Sequence, residues 1–199
     1  MKTRIYKILF ILLLLTALVL LVLIINKYIN RSIDEKENQQ VIDDFLNAPI
    51  AEEGEEPQKL EMRGYEVIGI VTIPKIDIQY PILALETSNP EETKEPMKFA
   101  IVKYWGGNVN EYGNLSIAGH NNHDGTMFGK TKNLEIGDVV ELTDMKKHKV
   151  SYQIYDKFKT DPNDVSVLKT TDTSIKEVTL ITCTNGNKER LILKAREIN

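Results

Sequence analysis

From Ile8 to Ile25 the chain runs ILFILLLLTALVLLVLII, eighteen residues without a charge and with Thr16 as the only polar interruption. A run of this kind is about the shortest that crosses a bilayer as a helix, so it sets this segment apart from whatever folds in water. The competing reading is a cleaved signal peptide. Its apolar region would be unusually long, and Asn26, Lys27 and Tyr28 follow where a small-x-small cleavage site would be needed. The segment is therefore read as an uncleaved anchor. Lys2, Arg4 and Lys7 precede it and Lys27 and Arg31 follow it. That small excess puts the amino terminus inside and the rest of the chain outside, so the expected location is the cell membrane, single-pass, with an extracellular domain.

At 199 residues with 42% hydrophobic composition, the chain has room for one ordinary domain plus accessories. The net charge of -4 argues against the broad cationic surface that nucleic-acid binding requires. Ser32-Ile33-Asp34-Glu35 fits a capping box, and Ile33, Val41, Ile42, Phe45 and Leu46 recur at roughly helical spacing until Pro49. These predict a short amphipathic helix over about 33–47. The stretch AEEGEEPQ, Ala51 to Gln58, is acidic, has no apolar period and no chelating pattern, and reads as a solvated linker.

From about Tyr65 the pattern changes to short runs of β type: VIGIVTIP, then Ile76, Ile78, Tyr80 and Ile82 in alternation, and later NLSIAG, DVVELT, KVSYQIYDKF, EVTLIT and RLILKARE. Each is bounded by Gly, Asn, Asp or Pro. Many short strands with little helix predict a mostly antiparallel barrel or sandwich of roughly 135 residues. The expected organisation is a tail over 1–7, the anchor over 8–25, helix and acidic linker over 26–62, and a catalytic domain over 63–199. Residues 1 to about 60 are expected to be dispensable for catalysis, because every candidate reactive residue lies beyond Tyr65.

Cys183 is the only cysteine, which excludes an intrachain disulfide. An unpaired thiol on an exported domain must be buried, paired between molecules or used. A lone cysteine among strands is more often a small packing residue than a nucleophile, and three features of its surroundings weigh against that. Cys183 closes the strand Val178-Thr179-Leu180-Ile181-Thr182 and is followed at once by Thr184-Asn185-Gly186-Asn187, where Asn-Gly is a strong hairpin signal. The thiol thus sits at a strand end, within reach of a substrate.

The second feature is Arg190. A two-residue turn at Asn185-Gly186 sets Cys183 opposite Lys188 and Ile181 opposite Arg190, which makes Cys183 and Arg190 diagonal neighbours on one face, roughly 7–8 Å apart at Cα. Any loop of even length keeps that parity, and a one-residue slip destroys it. The plain alternative is a surface arginine on an edge strand. The third feature is His120, which ends the apolar strand Leu115-Ser116-Ile117-Ala118-Gly119 and opens the turn Asn121-Asn122-His123-Asp124-Gly125. Of the other two histidines, His148 lies in the lysine-rich turn Met145 to Lys149 and reads as solvated. His120 with His123 makes two ligands without a third, which is poor zinc evidence, and no metal is expected. A thiolate attacks a carbonyl, an imidazole protonates the leaving amine, and a fixed cation stabilises the oxyanion; Cys, His and Arg supply those roles.

Thr179-Leu180-Ile181-Thr182-Cys183 resembles the TLxTC signature of sortases, with Arg190 following at a compatible distance, and Leu115 to His120 resembles the strand that carries the family's catalytic histidine. The resemblance extends from about Val67 to Ile198 and takes in VTIPKIDIQYPI and Asp164-Val165-Ser166-Val167-Leu168. It implies an eight-stranded sortase-type β-barrel acting as a cysteine transpeptidase without a cofactor. Cys183 would cleave an LPxTG-like signal near the carboxyl terminus of a secreted protein and hold the acyl group as a thioester until the amine of a cell-wall precursor resolves it. His120 would be the acid and base, and Arg190 would orient carbonyls or stabilise the oxyanion. Thr182, Ala118, Val165, Leu168 and Ile181 would line the substrate groove, though each is equally compatible with barrel core. Glu111 is the only acid between Phe99 and His120, so the resemblance carries no calcium site. There is no Asp-Pro-aromatic lid of the sort pilin-polymerising members carry, and class A-like, D-like and B-like roles stay open. An exported cysteine hydrolase and a non-catalytic anchored binding domain are the competing functions.

Overall fold

The computed structural model describes residues 2–52, 54–85, 90–170 and 172–198. Glu53 of the acidic linker lies outside the described residues. The chain divides into two compact units, Met1–Glu37 and Asn38–Asn199.

The first unit is helical. Helix α1 runs from Lys2 to Asn47 without interruption, and its side chains from Ile8 to Ile25 are all exposed. It is long and apolar enough to cross a membrane. The expected separate helix beginning near residue 33 is not found: Ser32 lies inside α1 and caps nothing there. The reason is local, because Asn26 to Ser32 contains neither Pro nor Gly and nothing stops propagation from the apolar segment. Pro49 bars continuation past Asn47.

The last turns of α1 belong to the second unit. Asn38, Val41, Ile42 and Phe45 fall on one helical face and are buried, whereas Ile33 and Leu46, expected on the same stripe, are exposed. Ile42 and Phe45 pack on Ile70, with Leu60 and Met145 alongside. The Asn38 side-chain amide donates to the Phe99 carbonyl at 2.6 Å. Lys147 donates to the carbonyls of Leu46, at 3.1 Å, and Ala48, satisfying the helix end with a cation.

These contacts join residues 38–47, which precede the expected domain start at 63, to the packing of the second unit. Removing Ile42 and Phe45 uncovers Ile70, and the loss of large buried side chains of this kind amounts to about 2–5 kcal/mol each. At this size each kcal/mol moves the melting point by roughly 2–4 °C. A chain beginning at residue 61 is therefore expected to melt on the order of 10 °C below one beginning at Asn38. Equal melting points for the two would show that the helix end contributes nothing.

The rest of the second unit is a closed barrel of eight strands: β2 (Tyr65–Ile73), β3 (Ile78–Leu83), β4 (Ile101–Trp105), β5 (Gly113–Ala118), β6 (Val139–Asp144), β7 (Lys149–Thr160), β8 (Lys176–Thr184) and β9 (Glu189–Glu197). A two-residue strand, β1 (Glu61–Met62), pairs with the start of β2. The order around the barrel is β2-β3-β4-β5-β8-β9-β7-β6, and β6 pairs back onto β2. Closure leaves no open edge among the eight. The β3–β4 and β5–β8 pairs are parallel and the others antiparallel.

Strand alternation divides the apolar residues between two cores. Val71, Ile117, Val140, Leu142, Ile154, Val178, Leu180, Leu191 and Leu193 fill the interior. Ala118, Ile181 and Ile192 belong to a second cluster on the opposite face, with Val102, Phe99 and Val167. The outer face of β5, β8 and β9 is therefore apolar as well and is covered by connecting segments.

Candidate active site

The parallel pairing of β5 with β8 is what brings two of the candidate residues together. Antiparallel neighbours end at opposite edges, whereas parallel ones end at the same edge. The register runs from Gly113 opposite Lys176 to Ala118 opposite Ile181. The Gly119 amide donates to the Ile181 carbonyl at 3.2 Å, so the ladder continues one rung beyond β5. Two residues past the last pair of this register, His120 follows Gly119 at the edge where Cys183 ends β8, and continuing the alternation puts both on one face. Both are half-buried. Gly119 lets the end of β5 lie against the fully buried Phe128, since a Cβ there would lie 3.0 Å from its ring. The Phe128 amide in turn donates to the His120 carbonyl at 3.0 Å.

On its other side Cys183 pairs with Arg190, and Thr184 with Glu189. The hairpin thus closes through four residues, Asn185 to Lys188, and not through the expected two. Asn185, Gly186 and Asn187 all have positive φ, at 50°, 62° and 69°. Asn and Gly tolerate the left-handed region, and three such residues in succession make the longer loop. The loop length is even, so Arg190 keeps its place on the Cys183 face, but it stands directly opposite and not diagonally. The Ile181 and Cys183 carbonyls point toward β5, so Cys183 and Arg190 form a non-hydrogen-bonded pair, the closer kind, with Cα atoms about 4.5 Å apart. The Arg190 guanidinium donates back along the hairpin to the carbonyls of Asn187, at 3.3 Å, and Glu189, at 3.4 Å. Both bonds are long, which leaves the group easily redirected.

Thr160 of β7 pairs with Arg190. A polar row therefore crosses three adjacent strands in the order Cys183, Arg190, Thr160, and His120 lies two residues past the end of β5 beside it. One step back along the strands lies an apolar row on the same face: Ala118, Ile181, Ile192 and Phe158. The helical turn Val165–Leu168 packs over this row through Val167 and Leu168. Two polar anchors hold that turn. The Asp164 carboxylate accepts from the Ser166 amide and hydroxyl and from the Thr160 hydroxyl. Those bonds, the Ser166 hydroxyl first, hold its carboxyl below the usual value. At the other end, Asn114 of β5 donates to the Leu168 carbonyl at 3.1 Å while accepting from Thr179 of β8 at 2.9 Å.

Of the five residues expected to line a groove, Ala118, Ile181 and Leu168 sit in this outer cluster, and Val165 is exposed at its margin. Thr182 faces the other way. It pairs with Leu191 of the interior, is 3% exposed, and its hydroxyl donates to the Gly119 carbonyl at 2.7 Å. Alternation decides this, since Thr182 lies between two outward-facing neighbours. The remaining histidines stand apart from the row: His123 is exposed, and His148 is exposed beside Asp144. Among the described residues no group of three or more His, Cys, Asp or Glu is placed to hold a metal ion.

A family model for the sortase domain matches residues 71–198. The chain belongs to the sortase family. Members of this family are cysteine transpeptidases, and the matched region contains the whole polar row. Among solved structures, a sortase D5 transpeptidase of Clostridium perfringens is 28% identical over 84% of this chain and 99% of its own, with a TM-score of 0.64. Sortase C-1 of Actinomyces oris is 20% identical over 84% and 99%, with a TM-score of 0.58. Sortase A of Listeria monocytogenes is 22% identical over 67% and 88%, at 0.57. The last two share the fold. No curated protein matches the chain.

Sequence reading missed two residues of this sortase's site region. Asn121 was absorbed into an Asn-rich turn, yet its side chain donates to the Cys183 carbonyl at 2.8 Å. Asn114 looked like an ordinary strand residue, and its contact with Leu168 spans 54 positions of sequence. The histidine position next to Asn121 was the available signal for the first; nothing local marks the second.

Proposed function

We propose that this sortase cleaves an LPxTG-like sorting signal on secreted proteins and transfers the acyl group, through a thioester on Cys183, to an amine of a cell-wall precursor. The observation that carries this reading is the pairing of Cys183 with Arg190 at the barrel edge where the β5 strand leads into His120, all three being half-buried.

In the first step the Cys183 sulfur bonds to the carbonyl carbon of the scissile Thr–Gly peptide, its proton passing to His120. The carbonyl oxygen becomes an oxyanion, and Arg190 turns from its hairpin carbonyls to donate to it. Collapse breaks the C–N bond, His120 gives its proton to the departing glycine amine, and a thioester remains. An incoming amine attacks the thioester, loses a proton to His120, and the C–S bond breaks to return the thiol. The outer apolar row with Leu168 and Val165 receives the apolar end of the signal, and Thr182 acts from behind by fixing Gly119. The apolar part of α1 serves as the single-pass anchor, amino terminus inside and barrel outside. The 28% identity to the D5 transpeptidase supports a class D-like assignment within the family.

Product analysis with and without an added amine tests the reaction. The amine is expected to appear joined to the new threonine carboxyl group, with slow hydrolysis in its absence. The same free carboxylate at the same rate under both conditions would make the protein a cysteine hydrolase.

A further inference from the structure

The main chain of β5 leaves the β8 ladder just where the candidate site begins. Gly119 gives its amide to the Ile181 carbonyl. In a parallel ladder the carbonyl two residues on, that of Cys183, points the same way and would take the amide of residue 121. The chain there turns into the loop that folds Asn121 back to bridge Met127. The bond to the Cys183 carbonyl comes from the Asn121 side chain, whose amide nitrogen lies 2.8 Å from it. Asn121 thus adds one rung with its side chain where the backbone no longer supplies it.

The position of that rung is significant because it joins the residue after His120 to the backbone of Cys183 itself. The His120 carbonyl is held separately by the Phe128 amide, and the Gly119 carbonyl by Thr182. Asn121 closes the remaining gap between the imidazole loop and the thiol's strand end, which beyond Cys183 has only the left-handed hairpin.

We infer that Asn121 is a positioning residue, whose side-chain amide fixes the Cys183 backbone against the His120 loop and so holds the thiol and imidazole at reacting distance. The inference rests on the function proposed above for its chemistry. A displacement on the order of 1 Å between reacting groups lowers rates by up to about a hundredfold.

The test uses the full chain with Asn121→Ala, Asn121→Asp and Asn121→Gln. Alanine removes the donor, aspartate keeps the shape but opposes the carbonyl with a charge, and glutamine keeps an amide on a longer arm. The expected result is a kcat lowered about tenfold or more in the Ala and Asp variants, with KM for a sorting peptide within about twofold and partial recovery in the Gln variant. A kcat within about twofold of the parent for Asn121→Ala, or a loss that glutamine does not relieve at all, would overturn it.

A second arm needs no substrate. The factor by which His120→Ala changes the rate of Cys183 alkylation by iodoacetamide is measured in the parent and in Asn121→Ala. That factor is expected to shrink toward one when Asn121 is lost, as for any coupling carried through a third residue. An unchanged factor would overturn the inference whatever the reaction proves to be. A parent that cleaves no sorting peptide would count against the proposed function, and the alkylation cycle would still decide the role of Asn121.

Discussion

Replacing Cys183 by alanine is expected to abolish both cleavage of a sorting peptide and transfer to an amine while leaving the barrel folded. The thiol is half-buried at the end of β8 and outside the interior cluster, so its loss empties little of the core. No other cysteine exists to replace it. His120→Ala is expected to be nearly as severe, because His120 alone among the three histidines follows directly on the β5 end that lies beside the Cys183 end of β8. His123→Ala and His148→Ala should leave the rate within about twofold, as expected for exposed side chains away from the reacting groups. Rates and melting curves on the purified variants check this. Turnover above background in Cys183→Ala would remove the thiol from the mechanism. A dead His123 variant beside an active His120 variant would mean that another imidazole does the work.

Arg190→Lys is expected to lower the acylation rate by on the order of a hundredfold, the usual scale for losing one oxyanion donor. The register sharpens this prediction. Arg190 stands directly across from Cys183 in the close type of cross-strand pair, so its guanidinium needs only to turn from the Asn187 and Glu189 carbonyls to reach a substrate carbonyl. A guanidinium presents two parallel donors in a rigid fork, whereas a lysine ammonium offers a point charge on a flexible stem. If charge alone mattered, Lys would retain most of the rate and Ala would lose it. Single-turnover acylation by each variant separates the two cases. A Lys variant within about threefold of the parent would decide against the fork. The melting point should hardly move, since the bonds Arg190 makes in the resting structure are long and lie at a hairpin.

The barrel was legible in the sequence where period-2 alternation governs, as was the shared face of Cys183 and Arg190. That alternation marks the strands, and the even loop length keeps Arg190 on the Cys183 face even though the hairpin is two residues longer than Asn-Gly implies. The exact partner was not legible, because it depends on Asn187 joining Asn185 and Gly186 in the left-handed region, which Asn permits without requiring. Alternation also rules on Thr182: adjacent strand residues cannot both face one groove, so Ile181 outside puts Thr182 inside. The helix was misread for a different reason. Ser32 to Glu35 matches a capping box, but a box starts a helix only where the preceding chain is not already helical, and the apolar part of α1 runs straight into it. Contacts distant in sequence, such as those of Val41, Ile42 and Phe45 with the barrel or of Asn114 with Leu168, leave no local pattern to read.

The central claim is that Cys183 carries the acyl group, and intact-protein mass spectrometry after rapid acid quench of a reaction with sorting peptide and no amine tests it most directly. The account predicts a covalent adduct with the mass of the peptide up to its threonine, located on Cys183, sensitive to hydroxylamine and absent from Cys183→Ala. Peptide cleaved at the same bond with no such adduct at any quench time, or an adduct on another residue, would contradict it.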